Sequence, residues 1–471
     1  MPIRARISAL LLATLAALAA LPALAQGTLT IGITQFPSNF HPNIDSMMAK
    51  SYVLAMTQRP FTTYDPEWEL ICMLCETLPS FENGLAEREP LAPGTGPEGI
   101  TEGIAATYTI REGATWGDGT PVTTRDVLFT YEVGRHPQSG ISNAEMYRRI
   151  LSIDVLDERT FVMHGDRVDF NYAAINDFHL IPEHIERPIF EADPAEYRNR
   201  TAFDRDPTNP GLAFGPYRIA EVVTGARIEL VPNPTWWGRP PAFERVVVKT
   251  IENTAALEAN LLSGEIDMIA GELGLSLDQA IALEKRHGDT YRIAYKSSIL
   301  YEHIDLMLDN PILADKRVRK ALVHALNREA ISQRLFEGRQ EVAHGNVSPL
   351  DWIYDPTVPR YDYDPARAAA LLEEAGWMPG PDGIRRNAAG ERLSLELMTT
   401  AGNRSRELVQ QVLQSQWRAA GIEIAVRNEP ARVFFSETVS KRRFPAMAMF
   451  AWFSSPESVP YTTLHSDSIP T

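Results

Sequence analysis

The clearest pattern of apolar and polar positions lies in residues 108–133, YTIREGATWGDGTPVTTRDVLFTYEV. Apolar and polar residues alternate at 108–111 and predict a strand, which is followed by a turn rich in Gly, Asp and Pro. After this turn, Thr123 or Thr124 is suited to cap a helix that carries Asp126 in its first turn. The apolar face of this helix is predicted to consist of Val127, Leu128 and Tyr131. The stretch therefore predicts a strand, a turn and a capped helix, as in many α+β modules.

The same signals predict further elements in the first half of the chain. Strands are predicted at 28–34, 153–155, 160–163 and 266–269, with a hairpin turn at 224–225. A loop is predicted at 36–42, a short helix at 51–56, and an irregular excursion rich in Pro, Gly and Glu at 79–107. Another helix is predicted to begin after Asn253 or Thr254 and to end at Gly264.

The second half of the chain is predicted to be richer in helix. Helices are predicted to begin after Asp315, Asn327 and Asp364, which are good N-cap residues, and Pro365 is well placed in the first turn of the last of these. Two more helices are predicted at 404–420 and 431–439, and strands at 422–426 and 446–451. This alternation of helix and strand indicates α/β packing.

Length and charge narrow the class of protein. A chain of 471 residues exceeds what a single hydrophobic core normally holds, which predicts two to four domains. The formal net charge is −16, with 45 Lys and Arg against 61 Asp and Glu. Proteins that bind nucleic acid or anionic membranes normally present a basic face, so neither partner is expected.

The N-terminus has the features of a cleaved secretory signal. Arg4 and Arg6 precede an apolar run at 7–21, and residues 23–25 (Ala-Leu-Ala) form a small-x-small cleavage site that would leave Gln26 first. An N-terminal membrane anchor is the alternative, but the run is shorter than the roughly 20 residues that a spanning helix needs. Residues 1–25 are therefore predicted to be a signal peptide, and the protein is predicted to be periplasmic.

The chain contains two cysteines, Cys72 and Cys75, in a C-x-x-C spacing. An oxidising periplasm favours a disulfide between such residues, although two free thiols are equally compatible with the sequence. The flanking residues lack the βαβ pattern of a thioredoxin-like redox site, and no pair of soft ligands stands nearby to complete a zinc site. A structural role is expected in either case.

Four separated blocks of sequence occur in the order found in a known family. They are WGDGTPVT with DVLFTYE at 116–132, IPEH at 181–184, FGPYRI with VPNPTWWG at 214–238, and VRKALVHALNREAI at 318–331. Together they resemble family 5 of the extracellular solute-binding proteins, the peptide-type binding proteins that supply ABC importers. The resemblance implies an α/β, two-lobed periplasmic-binding-protein fold, type II-like, with an extra inserted subdomain.

The resemblance also implies domain boundaries. The first lobe is expected to comprise residues 26–70 and 196–290, with 71–195 as the inserted subdomain, and the second lobe to comprise 291–471. In the family the chain finally crosses back to the first lobe. Here the chain stops at Thr471 in what the sequence predicts as a loop, so the C-terminal crossing segment is expected to be missing.

The ligand-binding residues implied by the resemblance come from three places. In oligopeptide-binding members an acidic residue soon after a Trp on the last strand pairs with the peptide ammonium, whereas no Asp follows Trp452 closely and Glu457 is the nearest carboxylate. Aromatic walls with a few polar groups suit a ligand that loses its water. The predicted ligand-binding residues are Phe36, Asn39 and His41 from the first loop, Tyr301 and Glu302 from the crossing segment, and Asn346, Trp352 and Trp452 from the second lobe.

The resulting hypothesis is a periplasmic substrate-binding protein of an ABC importer for peptides or peptide-like solutes. Its partners would be the ligand and a permease in the inner membrane, and a monomer is expected. The sequence contains no G-x-S-x-G, H-E-x-x-H or P-loop motif, so no catalytic residue, metal site or cofactor is predicted. The alternatives are the same transport role for nickel, haem, an opine or glutathione, or a secreted hydrolase.

Overall fold

A computed structural model of the protein describes residues 27–45, 47–351, 353–430, 433–439, 441–453 and 465–466. The chain divides into two compact units, the first ending at Leu275 and the second beginning at Ser276. The predicted signal peptide lies outside the described residues. The lobe and insert boundaries predicted at 70/71, 195/196 and 290/291 remain predictions.

The first unit contains strands β1 to β11 and helices α1 to α6. Its strands are β1 (Thr28–Ile33), β2 (Thr62–Tyr64), β3 (Leu70–Cys72), β4 (Ala86–Pro90), β5 (Glu102–Thr109), β6 (Ile150–Val155), β7 (Thr160–Gly165), β8 (Tyr217–Val223), β9 (Arg227–Pro232), β10 (Arg245–Thr250) and β11 (Met268–Ile269). Its helices are α1 (Met48–Thr57), α2 (Thr124–Arg135), α3 (Ala144–Arg149), α4 (Glu183–Ala192), α5 (Ala202–Arg205) and α6 (Thr254–Ser263). Short 3-10 turns occur at Tyr197–Asn199 and Pro210–Leu212.

A mixed sheet carries one of the two cores of this unit. Among the described residues its strand order is β11-β1-β10-β9-β8. β1 runs parallel to both of its neighbours, whereas β9 is antiparallel to β10 on one side and to β8 on the other. The β8–β9 turn contains Gly225 with a φ of 76°, which confirms the hairpin predicted at 224–225. Apolar side chains of these strands face α1 and α4 in a buried cluster.

The second core of the first unit surrounds an antiparallel sheet with the order β4-β5-β7-β6. Tyr108, Trp116 and Phe161 are among its fully buried aromatic side chains. β6 and β7 confirm the strands predicted at 153–155 and 160–163. The prediction that residues 79–107 are irregular is wrong in part, because β4 and most of β5 lie there and pair with each other. This stretch has few apolar residues, so its sequence pattern did not predict the two strands. They are stabilised by pairing with each other and, for β5, with β7.

Helix α2 begins as the sequence predicts. The Thr123 side chain accepts from the backbone N–H of Arg125 at 3.3 Å, and Asp126 Oδ2 accepts from Thr123 N at 2.9 Å. The other oxygen of Asp126 accepts from the backbone N–H of Glu183 at 2.9 Å, so one carboxylate joins the starts of α2 and α4. The predicted apolar face is wrong at Leu128, which is 38 % exposed. Phe129 is buried in its place because α4 packs on that side.

Cys72 and Cys75 form a disulfide in the structure. Cys72 ends β3, and Cys75 packs among the buried residues of the second core. Of the two states compatible with the sequence, the bonded one is therefore present. The bond closes a tight loop beside the antiparallel sheet.

The second unit contains four strands and five α-helices in its described part. They are α7 (Leu277–His287), β12 (Leu300–Leu306), α8 (Lys316–His324), α9 (Arg328–Phe336), α10 (Pro365–Glu374), β13 (Ser394–Thr400), α11 (Arg404–Ala419), β14 (Glu423–Glu429) and β15 (Met447–Phe453). The sheet has the order β12-β15-β13-β14. Asp315, Asn327 and Asp364 cap α8, α9 and α10 through their side chains, as predicted. The helix predicted at 431–439 is a π-helix over Phe434–Val439 in the described residues.

A buried carboxyl group in the first unit carries a testable pH dependence. Glu186 lies in α4 with no solvent exposure, and its Oε1 accepts from the backbone N–H of Ala202 at 2.8 Å. Burial raises the pKa of Glu186 to about 7, from an ordinary value of 4.5. The folded protein thus binds this proton more tightly than the unfolded chain does. The contribution of Glu186 to the free energy of unfolding is therefore fully present below about pH 4.5, and it is lost as the pH rises through about 7.

We expect Glu186→Gln to be more stable than the parent protein at pH 8 by about 3 kcal/mol, and similar to it at pH 5. The amide keeps an acceptor for Ala202 and removes the charge that burial disfavours. Urea unfolding at pH 5, 6, 7 and 8 measures this difference. Glu87→Gln, on the exposed face of β4, is the matched control and should show no such trend. Parallel pH profiles for the parent protein and Glu186→Gln would contradict the assignment.

Candidate functional site

The second unit contains a cavity of about 510 Å³ beside strand β12. Its walls are mainly apolar and come from α8, α9, α11 and β15. They are formed by Val323, Leu326, Ile331, Phe336, Val409, Leu413 and Met449. Its polar lining includes Glu302, Arg328, Gln340, Glu341, His344, Asn346 and Tyr361. An apolar cavity of this size with a few converging polar groups has the composition of a small-molecule or peptide site.

Strand β12 is an edge strand that runs along this cavity. It pairs with β15 on one side, from Leu300 opposite Phe453 to Leu306 opposite Met447. Among the described residues no strand pairs with its other side. Residues 301–304 line the cavity, so an edge of backbone donors and acceptors lies beside apolar walls.

Alternation along β12 sends neighbouring predicted residues to opposite faces of the sheet. Tyr301 lies opposite Trp452 on β15, and His303 lies opposite Phe450. The His303 ring centroid is 4.8 Å from that of Tyr301 and 4.5 Å from that of Phe450. These four rings form an aromatic cluster on one face, in which Trp452 stays 38 % exposed. The cluster supplies apolar contact area next to the open strand edge.

Glu302 points to the helical face and is already paired. Its carboxylate accepts from Arg406 Nε at 2.6 Å and from Arg406 Nη2 at 3.1 Å. Arg406 also donates to Thr400 Oγ1 at 3.0 Å, which fixes the start of α11 against the sheet. A bidentate ion pair of this kind supplies both carboxylate oxygens with a hydrogen-bond donor. Glu302 therefore borders the cavity as a neutralised group.

Two further polar residues, Arg328 and His344, line the cavity. Arg328 donates to the backbone oxygens of Ala343 at 2.6 Å and Tyr361 at 3.1 Å, which ties the cavity wall together. His344 Nδ1 is buried and has no hydrogen-bond partner among the described residues. Burial, reinforced by the nearby charge of Arg328, lowers the pKa of His344. Arg328 follows the capping residue Asn327 within the block at 318–331 that resembles the family. Its place in that block is the sequence signal that could have identified it.

The predicted residues of the first loop are held within the first unit. His41 has no solvent exposure; its Nε2 lies 3.1 Å from Tyr197 Oη, and its Nδ1 accepts from Asn43 N at 3.1 Å. Burial, followed by the charge of Lys50, lowers its pKa well below the ordinary value, so the ring is a neutral core group. The assignment of His41 to ligand binding stays a prediction.

Phe36 and Asn39 take structural positions in the same loop. Phe36 packs against the core, with its ring 6.5 Å from that of Phe40. Asn39 Nδ2 donates to Asp45 Oδ2 at 3.1 Å, and its Oδ1 accepts from Lys50 Nζ at 3.3 Å. Both side chains remain partly exposed. Their assignment to ligand binding stays a prediction.

Lys50 organises this loop and was not anticipated. It is 2 % exposed, and its ammonium donates to the backbone oxygens of His41, at 2.9 Å, Ile44 and Asp45 as well as to Asn39 Oδ1. Burial lowers the pKa of Lys50 to about 8. A lysine near the start of a helix normally lies at the protein surface, so nothing in the sequence indicated that Lys50 is buried.

Of the predicted ligand-binding residues, the structure brings Tyr301, Glu302 and Asn346 to the cavity. Trp452 lies in the neighbouring aromatic cluster, and Trp352 lies outside the described residues. No group of three or more His, Cys, Asp or Glu side chains in the described residues is arranged to hold a metal ion. No helix in that part of the chain is long and apolar enough to cross a membrane.

Comparison with known proteins identifies the family. Residues 81–470 match the model of bacterial extracellular solute-binding proteins, family 5, middle region. This chain belongs to family 5 of the bacterial extracellular solute-binding proteins. The resemblance predicted from the four sequence blocks is thereby confirmed.

Two curated relatives show how much of its length this family 5 protein shares with known members. The oligopeptide-binding protein AppA of Bacillus subtilis is 28% identical over 424 residues, which cover 87% of this chain and 73% of AppA. A putative ABC transporter peptide-binding protein of Brucella ovis is 26% identical over 361 residues, covering 76% of this chain and 62% of the relative. The chain thus spans about three quarters of the first relative and less than two thirds of the second.

Solved structures confirm the predicted fold class of this family 5 protein. The oligopeptide-binding protein of Thermus thermophilus with a pentapeptide has a TM-score of 0.71 at 29% identity, covering 90% of this chain and 77% of that one. AppA of Bacillus subtilis with a nonapeptide has a TM-score of 0.73 at 25% identity, covering 94% and 82%. NikZ of Campylobacter jejuni with Ni(L-His), at 21% identity and a TM-score of 0.72 over 91% and 77%, shares the fold. These proteins have the two-lobed α/β architecture predicted from the sequence.

Proposed function

We propose that this family 5 protein is the substrate-binding component of an ABC importer and that its substrate is a peptide or a peptide-like solute. It captures the solute in the periplasm without chemical change and delivers it to a permease in the inner membrane. Relatives named as oligopeptide-binding or peptide-binding proteins support the substrate class.

The open edge of β12 is the observation that carries the peptide assignment. An extended peptide can add to an exposed strand edge, where main-chain hydrogen bonds give affinity without regard to side-chain sequence. Residues 301–304 present this edge beside the cavity, and Tyr301 and Trp452 provide aromatic surface at its end. A sugar or a metal complex would gain less from a row of alternating N–H and C=O groups.

The walls of the cavity suit the side chains of such a peptide. The apolar residues of α9 and α11 offer contact without a fixed pattern of hydrogen bonds, which fits a ligand of variable sequence. Two of the three acidic and arginine side chains that line the cavity, Glu302 and Arg328, are already engaged with Arg406 and with backbone oxygens. The arrangement therefore favours binding over catalysis.

Calorimetry and thermal unfolding of the purified protein with peptides of two to eight residues test this function. We expect one peptide per protein, a dissociation constant near 1 μM, or about −8 kcal/mol, and a higher melting temperature. The peptide should be recovered intact by chromatography. A matched depsipeptide, in which esters replace backbone amides, should bind more weakly because it lacks N–H donors for the β12 edge.

Other outcomes would separate the alternatives. Binding of nickel, haem, an opine or glutathione but of no peptide would keep the transport role and reject the peptide substrate. Cleavage of the peptide by the purified protein would reject the binding-protein assignment. Equal affinity for the peptide and the depsipeptide would reject the role of the β12 edge.

A further inference from the structure

The cavity beside β12 has an accessible apolar wall, which bears on the sequence of the peptide that it holds. Ile304, Ile331 and Val409 come from β12, α9 and α11 and line this cavity. All three are only partly buried, and Ile304, Ile331 and Val409 pack on one side against the core of the second unit. Apolar surface that is open to water favours an apolar ligand group, because binding removes both surfaces from water.

Two of the ionic side chains that line the cavity are engaged within the protein. Glu302 lies two residues before Ile304 on the same face of β12, and its carboxylate accepts from Arg406 at 2.6 and 3.1 Å. Arg328 lies one turn before Ile331 on α9 and donates to two backbone oxygens, at 2.6 and 3.1 Å. The wall between these groups therefore offers mainly hydrocarbon to a ligand.

The alternation of side chains along β12 decides which parts of a peptide can reach this wall. Glu302 and Ile304 point to the helical face of the sheet, whereas Tyr301 and His303 belong to the aromatic cluster on the other face. A peptide strand added to the β12 edge has the same alternation, so every second side chain lies on the helical face. The cavity borders β12 over residues 301–304, which include two helical-face positions. One peptide side chain, or two that are separated by one residue, can therefore enter.

We propose that this cavity selects peptides that carry a large apolar side chain at the position facing Ile304, Ile331 and Val409; the proposal rests on the peptide-binding function proposed above. Main-chain pairing with β12 holds peptides of varied sequence, and the apolar wall adds a preference at this position. The neighbouring peptide side chains lie on the other face of the sheet and do not touch the wall. The cavity volume of about 510 Å³ lies in the range that small ligands occupy, so it accommodates a side chain such as that of Phe or Leu.

Calorimetry of the full chain with a series of pentapeptides tests this preference. Each peptide has Ala at four positions, and Phe, Leu, Lys or Glu at the fifth, which is moved along the peptide. We expect Phe or Leu at one position, or at two positions separated by one residue, to bind about tenfold or more tightly than Ala there. Lys and Glu at the same position should bind no more tightly than Ala.

The same series separates failure of this preference from failure of the peptide function. Peptides that bind with similar affinity whichever residue they carry would overturn the preference and leave the peptide function intact. If none of the peptides binds, the peptide function is rejected and the preference with it. Tightest binding of a Lys peptide would assign the preference to Glu341, which is exposed and lines the same cavity, and would overturn the proposal.

Val409→Thr tests the wall itself, because it keeps the shape of the side chain and places a hydroxyl in apolar surroundings. It should lower the ratio of Phe to Ala affinity at the preferred position about threefold or more and leave the ratio at adjacent positions unchanged. Val426→Thr is the matched control, since Val426 is 44 % exposed on β14 and does not line the cavity. An unchanged ratio in Val409→Thr would reject the wall as the determinant.

A second cavity, within the first unit, is the alternative place for the apolar side chain. Its volume is about 550 Å³, and residues of α1 line it together with Arg59, Ile141 and Tyr147. Ile331→Thr and Ile141→Thr make the same change at partly buried positions of the two cavities, and melting temperatures verify that both variants are folded. Ile331→Thr should lower the ratio of Phe to Ala affinity, and Ile141→Thr should not. A lower ratio in Ile141→Thr alone would place the side chain in the first unit and overturn the proposal.

Discussion

Replacing Ala343 with Trp is expected to weaken peptide binding at least 100-fold. Ala343 is exposed and lines the cavity beside β12, so an indole at this position occupies the space that the ligand needs. A 100-fold loss corresponds to about 2.7 kcal/mol of binding free energy. The backbone oxygen of Ala343, which accepts from Arg328, is unaffected by the change. Calorimetry with a peptide that binds the parent protein measures the effect.

Ala388→Trp is the matched control for this variant. Ala388 is exposed in the same unit and does not line the cavity. It should bind the peptide like the parent protein, and both variants should unfold at similar temperatures because neither alters a buried position. Retained affinity in Ala343→Trp would show that the peptide binds elsewhere.

Replacing Lys50 with Met is expected to lower the free energy of unfolding of the first unit by about 3 kcal/mol. The change leaves backbone oxygens of His41, Ile44 and Asp45 without their shared donor. Each buried acceptor left without a partner costs about 1–3 kcal/mol. Burial of the ammonium, reflected in a pKa lowered to about 8, is itself unfavourable, and its removal offsets part of this loss.

Lys249→Met serves as the control for Lys50→Met. Lys249 lies on β10 and faces Glu265 at 3.6 Å at the protein surface, where a pair contributes about 0–1 kcal/mol. Urea unfolding followed by the fluorescence of tryptophans in the first unit reports on both variants. A loss in Lys50→Met no larger than that in Lys249→Met would mean that solvent replaces the ammonium.

The starts and ends of many elements could be predicted from a few neighbouring residues. Asn253, Asp315 and Asp364 cap their helices as expected, because an N-cap bond joins atoms only two or three residues apart. The turn at Gly225 follows from the local backbone in the same way. The order of the four blocks indicated the family and, through it, the fold class. These features depend on short stretches of chain or on their sequence order.

The inward or outward position of a side chain depended on contacts between distant segments. Phe129 is buried and Leu128 exposed because α4 covers one side of α2, which local periodicity does not specify. His41 is buried because Tyr197 packs against it from far along the chain. Alternation on β12 also separates the adjacent residues Tyr301 and Glu302 onto two faces.

The two cavities also depend on contacts between distant segments. Val323, Val409 and Met449 meet around one cavity, although each taken alone is an ordinary apolar residue in the sequence. Arg59 and Tyr147 meet around the other, and neither carries a local motif. Hydrogen bonds along the chain define local structure, whereas a cavity or a buried charge exists only where packed elements exclude water. Only the tertiary structure could therefore reveal them.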